Sequence, residues 1–323
     1  MGENVMSANA LTNSHTNVIA LVNQKGGVSK TVSSLNIAYA LANYYGKKVL
    51  LIDFDSQASS TLDLGVDATS EDTKSIDELL DPYVQNIQRR PAWDQIKPYI
   101  ITPTYTTRER DDRNRMKWVD VSRPYGFDLM PSSINLSVTE LRMGIASVNK
   151  QIYSGYLNDI IQTINENDPY DFIVIDTPPA LGALSVNAIR AATAGNIAPT
   201  NLDIMSFYGL QSLISTIESV RDSLAEGEHA GIMGILLNLY SERRTIDRAL
   251  DDYLKNFYPV HAFATRIPES SDVKKANASN LLYAQVNKKA AQAYKDLAAE
   301  IIYFTEHGIL KWVQDEQSKG VNK

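Results

Sequence analysis

The sequence predicts an α/β fold: a doubly wound, mostly parallel sheet flanked by helices and carrying one surface insertion. Two observations carry this expectation. Short runs rich in Val, Ile and Leu lack polar alternation, as strands buried on both faces do. Longer stretches of helical periodicity separate these runs, which is the rhythm of parallel strand and crossover units.

Strands are expected at Val18 to Asn23 ("VIALVN"), Lys48 to Asp53 ("KVLLID"), Phe127 to Met130, Phe172 to Asp176 ("FIVID"), Asn196 to Pro199 and Ile232 to Asn238. Between and after them, helices are expected at Lys30 to Tyr45, Tyr156 to Asn165, Leu184 to Ala192, Gly209 to Leu224, Thr245 to Asn256 and Val286 to Phe304. Gly46 is placed to cap the first of these helices. Residues 83–126 break the rhythm with prolines, aromatics and the charged run "RERDDRNRMK". They read as a solvated charged insertion, with a small subdomain as the alternative. The domain organisation expected is a flexible tail over 1–17, one domain over 18–307 and a fraying tail over 308–323.

Bulk composition removes several classes of function. The 323 residues include no cysteine, which excludes disulfides, thiolate metal sites, iron-sulfur clusters and cysteine nucleophiles. The apolar runs are strand-sized and none spans a membrane. The first residues lack the basic and apolar blocks of a secretory signal, and a cytoplasmic location is expected. A formal charge of −7 argues against nucleic-acid binding over the whole surface and leaves a local basic face open.

In a doubly wound sheet, ligands lie beyond the carboxyl ends of the strands. The stretch "QKGGVSKT", Gln24 to Thr31, follows the first strand and opens the first helix. It departs from the pattern G-x-x-x-x-G-K-[ST], having Gln24 and Ser29 where glycines belong. Gly26 and Gly27 let backbone N–H groups turn inward, and the helix start adds its positive dipole end. In that setting Lys30 would reach β- and γ-phosphates and the Thr31 hydroxyl would hold Mg²⁺. An ordinary tight turn is the structural alternative.

The second strand ends in "IDFDSQ". Asp53 and Asp55 would point to opposite faces of a regular strand, but a chain turning at the strand end brings both toward the phosphates. Two such carboxylates divide labour, one holding metal-bound water and the other orienting the attacking water. "FIVIDTPP" likewise delivers Asp176 to the sheet edge as a Mg²⁺ carboxylate. A solvated acidic strand end is the alternative for each.

"KGGVSKT", "LLIDFDSQ" and "FIVIDTPP", in that order, resemble the deviant Walker-type ATPases of the MinD/ParA superfamily, and most nearly the ParA-type partition ATPases. The similarity continues through "GILLNLYSERRTIDRAL" and "RIPESSDVKKANA" into the final helix. It implies a P-loop NTPase fold, ATP and Mg²⁺ as cofactors, and weak ATP hydrolysis. It also implies a homodimer formed on ATP binding, in which Lys25 reaches the phosphates of the partner subunit. Position by position, the nucleotide would be bound by Lys25, Gly26, Gly27, Val28, Ser29, Lys30, Thr31 and Val32. Asp53 would lie near the metal with Thr31, Asp55 would orient the water, and Asp176 would be the Walker B acid. Asn238 would read the base, or simply cap its strand. Ser29 stands where relatives have glycine, and is expected to supply the same backbone N–H at a negative φ.

The resemblance further implies nonspecific DNA binding, for which Arg243, Arg244, Arg248, Arg266, Lys274 and Lys275 are the candidates, against a bland reading as solvated helix faces. A ParB-like centromere-binding protein would trigger hydrolysis, and the protein would be nucleoid-associated. The loop begins too early in the sequence for a preceding helix-turn-helix domain, so operator-specific autoregulation is not expected. Alternatives within the same superfamily are a MinD-like membrane-associated positioning ATPase and a metabolic P-loop ligase. Against the first, Ile309, Leu310, Trp312 and Val313 are too few apolar residues for an interfacial helix, and no membrane contact is expected.

Overall fold

The structure, a computed structural model, describes residues 16–70, 72–85, 90–110, 118–148, 155–201, 204–223, 231–241, 243–257, 262–273, 276 and 279–308. Seven parallel strands form one sheet in the order β5-β2-β6-β1-β7-β8-β9. They are β1 (Asn17–Leu21), β2 (Val49–Asp53), β5 (Asp128–Met130), β6 (Phe172–Asp176), β7 (Gly195–Asn201), β8 (Ile232–Tyr240) and β9 (Ala262–Pro268). All six strands expected from the sequence are present, and β2 and β6 are buried at every residue.

Helices cover both faces. On one, α1 (Lys30–Tyr45) and α11 (Lys288–His307), preceded by the short α10 (Tyr283–Val286), pack Leu35, Ile37, Leu41, Tyr294, Leu297 and Ile301 against Ile19, Leu51 and Val174. On the other lie α3 (Ile76–Gln85), α5 (Leu136–Val148), α6 (Tyr156–Asn167), α7 (Ala183–Ala191) and α8 (Ile204–Asp222), whose Leu80, Ile160, Leu184, Ile189 and Leu213 meet Ala20, Ile52 and Ile175. α1 ends at Gly46, whose φ of 62° lets its N–H return to Ala42 O. The short α2 (Ser59–Asp63) follows β2, and α9 (Thr245–Phe257) follows β8.

The insertion is more ordered than a solvated loop. Besides the short α4 (Trp93–Ile96) it forms an antiparallel hairpin, β3 (Thr104–Arg110) and β4 (Trp118–Pro124), in a sheet of its own. Tyr105 packs against Tyr125 with ring centroids 5.0 Å apart, which anchors the hairpin to the domain. Of the charged run, Arg108 to Arg110 are β3, and the rest lies outside the described residues, as do residues 1–15 and 309–323 of the expected tails.

β1 and β6 are neighbours, yet α1 leaves β1 toward one face while α7 leaves β6 toward the other. Their carboxyl ends therefore open a crevice, the place where a doubly wound sheet binds ligands.

Candidate nucleotide site

The loop after β1 is held from behind by side chains of three strand ends. Asn23 donates through Nδ2 to Pro199 O (2.7 Å) and accepts the Lys25 N–H at Oδ1 (2.9 Å). Asn201, at the end of β7, donates to Gly27 O (3.1 Å), and Asn238, in β8, donates to Val28 O (2.8 Å). In a trans planar peptide the N–H points opposite to the C=O. Pulling these two carbonyls toward the sheet therefore turns the N–H groups of Val28 and Ser29 away from it. Gly27 has φ 75°, and a Cβ on Gly26 or Gly27 would meet nothing within 4 Å, so the front of the loop is open.

Ser29 corrects the sequence expectation. It sits at φ 63°, ψ 34°, the left-handed region, and its side chain makes no capping hydrogen bond to α1. The chain must reverse there to start the helix, so the serine adopts a glycine's conformation at a cost of about 1–2 kcal/mol.

Beneath the loop, Lys30 is buried, and its Nζ donates to Asn23 O (3.1 Å) and Lys25 O (3.4 Å). Desolvation lowers its pKa, partly countered by the nearby Asp176 and Asp55. Asp53 and Asp176 are register partners at the ends of β2 and β6, and both are fully buried. Asp53 accepts the Thr61 N–H (2.8 Å) and the Thr61 hydroxyl (2.7 Å). Asp176 accepts the hydroxyls of Ser60 (2.8 Å) and Ser34 (3.1 Å), and that of Thr31. Burial raises the Asp53 pKa to about 8, with the Asp176 charge adding to it. Asp176 is also raised, chiefly by desolvation and against its hydroxyl donors. Asp55 is buried too, its carboxylate accepting the Gln57 N–H (2.9 Å).

Thus Lys30, Thr31, Asp53, Asp55 and Asp176 converge on the crevice under the loop. Burial holds Asp53 and Asp176 back from ionising in the empty crevice, and a cation bound there would favour their charged forms. Among the described residues no group of three His, Cys, Asp or Glu is arranged to hold a metal by itself. The set therefore fits a cation that also takes oxygens from the Thr31 hydroxyl, from water and from a phosphate. Lys25 is half-buried at the front of the loop, and Val32 lies half-buried in the first turn of α1.

Two further expectations change. Asn238 is 1 % exposed, and its amide is committed to Val28 O and to the Ser33 hydroxyl (3.2 Å), so it holds the loop and presents no free edge to a base. Arg266 is paired at 2.5 Å with Asp251, their side chains 11 % and 9 % exposed, and also donates to Phe263 O; it belongs to the interior rather than to a DNA-facing surface. Arg243, Arg244 and Arg248 are exposed, with Arg244 bound to Glu269 and 3.8 Å from Asp247. Lys274 and Lys275 lie outside the described residues.

Sequence reasoning missed Asn23, Ser34, Ser60, Thr61 and Asn201. The legible signal was the hydroxyl run "SSTL" close behind an acidic strand end, and Ser34 one helical turn after Lys30.

A parallel sheet with a glycine loop, a lysine and a hydroxyl at the first helix, and acids on the adjacent strand ends defines a P-loop nucleoside triphosphatase. The sequence model for the family described as "AAA domain" matches residues 16–227. The chromosome partitioning protein ParA of Caulobacter vibrioides is 31 % identical over 300 residues, 92 % of this chain and 96 % of ParA. Among solved structures, cobyrinic acid a,c-diamide synthase from Mycobacterium smegmatis with bound ATP analog and magnesium superposes with a TM-score of 0.65 at 24 % identity, covering 91 % of this chain and 97 % of that one. The Pyrococcus furiosus cell division ATPase MinD gives 0.62 at 20 % identity, covering 90 % and 100 %. These two similarities show the shared fold. With the ParA match across nearly its whole length, the chain belongs to the ParA-type family of MinD/ParA P-loop ATPases.

Proposed function

We propose that this protein is an ATP-dependent DNA partition ATPase that closes a dimer around ATP and Mg²⁺, holds DNA without reading its sequence, and is reset by partner-stimulated hydrolysis. The observation that carries the reading is the group formed by buried Lys30, Asp53, Asp55 and Asp176 with half-buried Thr31 under an open glycine loop. The ParA match supports the partition role.

Bound Mg²⁺ would supply charge neutralisation at the phosphates. The chain's own residues do the remainder. Lys30 trades its two loop carbonyls for phosphate oxygens, and the Val28 and Ser29 N–H groups face the same anion. The Thr31 hydroxyl, with Asp53 and Asp176 behind it, holds the metal side. Asp55 orients the attacking water, its position set by the Ser132 hydroxyl on its carbonyl (2.7 Å). Lys25, ahead of the glycine pair, serves the phosphates of the second subunit. Arg243, Arg244 and Arg248 supply exposed charge for DNA phosphates, and a ParB-like protein completes the hydrolytic site. Among the described residues no helix is long and apolar enough to cross a membrane. The ParA match supports work in the cytoplasm on the nucleoid.

Lys30→Ala is expected to abolish ATP binding and Asp55→Ala to bind ATP, dimerise and stall on DNA. Nucleotide binding, light scattering with ATP or ADP, and mobility shift on unrelated DNA at two salt concentrations read these outcomes. Normal turnover by Asp55→Ala removes that residue from its role. An ATP dimer with no DNA affinity at low salt turns the assignment toward a membrane or metabolic ATPase.

A further inference from the structure

One buried carboxylate lies outside the nucleotide crevice and takes no part in the chemistry described above. Asp77 stands in the first turn of α3 and is 4 % exposed. Its Oδ1 accepts two hydroxyls, one from Ser75 just before the helix (2.7 Å) and one from Ser133, 56 positions along the chain in the turn after β5 (2.8 Å). An acid in the first turn complements the positive end of the helix dipole, and it does so equally well from the surface. Burying it costs solvation. What burial adds is the bond to Ser133.

The turn after β5 is tied to α3 twice. The Ile76 N–H donates to Pro131 O (2.9 Å), and the Ser133 hydroxyl donates to Asp77 while accepting the Asn135 N–H (3.2 Å). Between the two tied residues stands Ser132, fully buried, and both of its donors serve the nucleotide site. Its hydroxyl donates to Asp55 O (2.7 Å), beside the Ala58 N–H (2.8 Å). Its N–H donates to Thr61 Oγ1 (3.0 Å), whose own proton goes to Asp53 (2.7 Å). Ser132 thus grips the backbone of one site acid and the threonine that holds another, and the Asp77 bond fixes the residue next to it.

We propose that Asp77 is a positioning residue for hydrolysis: through Ser133 it holds Ser132, and through Ser132 it sets the Asp55 backbone and the Thr61 hydroxyl on Asp53. The inference rests on the proposed role of Asp55 at the hydrolytic water. Phosphate binding draws on a different scaffold, because Lys30 and the glycine loop are held by Asn23, Asn201 and Asn238. Loss of the tether therefore lowers kcat and spares KM. A displacement of about 1 Å at a reacting group costs on the order of a hundredfold in rate, and a turn still tied at Pro131 shifts by less.

Steady-state ATP hydrolysis by the full chain at saturating Mg²⁺, with Asp55→Ala alongside, tests the inference. Ser133→Ala and Asp77→Ala are each expected to lower kcat about tenfold with KM for ATP within about twofold. The double variant should lose no more than either single one, because both changes sever one bond. Asp77→Asn keeps an oxygen for the hydroxyls and should recover most of the loss. Ser75→Ala removes the other hydroxyl from the same oxygen without touching the turn, and should keep the wild-type kcat; it reads what a role confined to α3 would do. If Asp77→Ala does not fold, Ser133→Ala against Ser75→Ala decides. Wild-type kcat in Ser133→Ala, an equal loss in Ser75→Ala, or a KM that rises in step with the fall in kcat overturns the inference, and beside an inactive Asp55→Ala leaves the proposed function standing. Normal turnover by Asp55→Ala overturns both the role of Asp55 and the inference built on it.

Discussion

Replacing Ser29 by glycine should stabilise the protein. At φ 63° the serine pays about 1–2 kcal/mol for the approach of its Cβ to the following carbonyl oxygen. Glycine removes that cost but brings about 0.5–1 kcal/mol of extra unfolded-state entropy. The serine side chain caps nothing, so no hydrogen bond to the helix start is lost. The net gain is about 0.5–1 kcal/mol, equivalent to about 1–3 °C in melting temperature for a domain of this size. Urea unfolding without nucleotide, followed by circular dichroism, measures it. Ser29→Ala is the control: it keeps the left-handed Cβ and should lie within about 0.5 kcal/mol of wild type. If Ser29→Gly gains nothing, the left-handed serine is not strained. If Ser29→Ala loses as much as 1 kcal/mol, the hydroxyl does work in the nucleotide-free loop that the hydrogen bonds do not account for.

The Asp53 pKa is raised from 3.8 to about 8, so its contribution to stability is fully present below about pH 4 and is lost as pH rises through about 8. Nucleotide-free protein should therefore weaken between pH 5 and pH 8.5 by about 1–3 kcal/mol, less than the full shift implies because Asp176 shares the burial; Asp53→Asn should flatten that slope in urea melts at the two pH values, and an unchanged slope refutes the assignment. Arg266→Ala leaves Asp251 buried without its 2.5 Å partner and should cost about 3 kcal/mol by denaturant unfolding, whereas Arg243→Ala, on the surface, should leave stability within about 0.5 kcal/mol and weaken DNA binding most at low salt. A stable Arg266→Ala variant would return that residue to the DNA candidates.

The legible parts of the fold were those where one physical demand acts alone. β2 and β6 lie deep in the sheet, and every residue before the terminal Asp53 and Asp176 is apolar and buried. β9 escaped notice because an edge strand is covered on one side only: its burial alternates irregularly, and the Glu300 carboxylate of α11 accepts its Ala264 and Thr265 N–H groups. α5 escaped because apolar residues on both its inner and outer sides blur the period that marks an amphipathic helix. In the site, the lysine, threonine and three acids were readable because charge at a strand end is conspicuous. The asparagines behind the loop were not. An amide that orients a peptide 174 positions away in sequence, as Asn201 does for Gly27, leaves no local pattern. Asn238 shows the complementary error, a residue correctly singled out whose partners only the tertiary structure reveals.

The place of β1 in the sheet governs when the site comes into being. The strand that carries the glycine loop precedes the other six in the chain, yet Asn17 pairs with Phe172 and Ile19 with Gly195, so both of its neighbours are synthesised long afterwards. Until they emerge, Ile19 to Leu21 have no ladder on either side, and the asparagines that set the loop, at 201 and 238, do not yet exist. Nucleotide capture is therefore a late event of biogenesis, reserved for chains whose synthesis has passed β8. A nascent or prematurely terminated product lacking β7 has no Asn201 to hold Gly27 O, and its glycine loop is not set. It instead exposes an unpaired apolar strand of the kind that chaperones and proteases recognise.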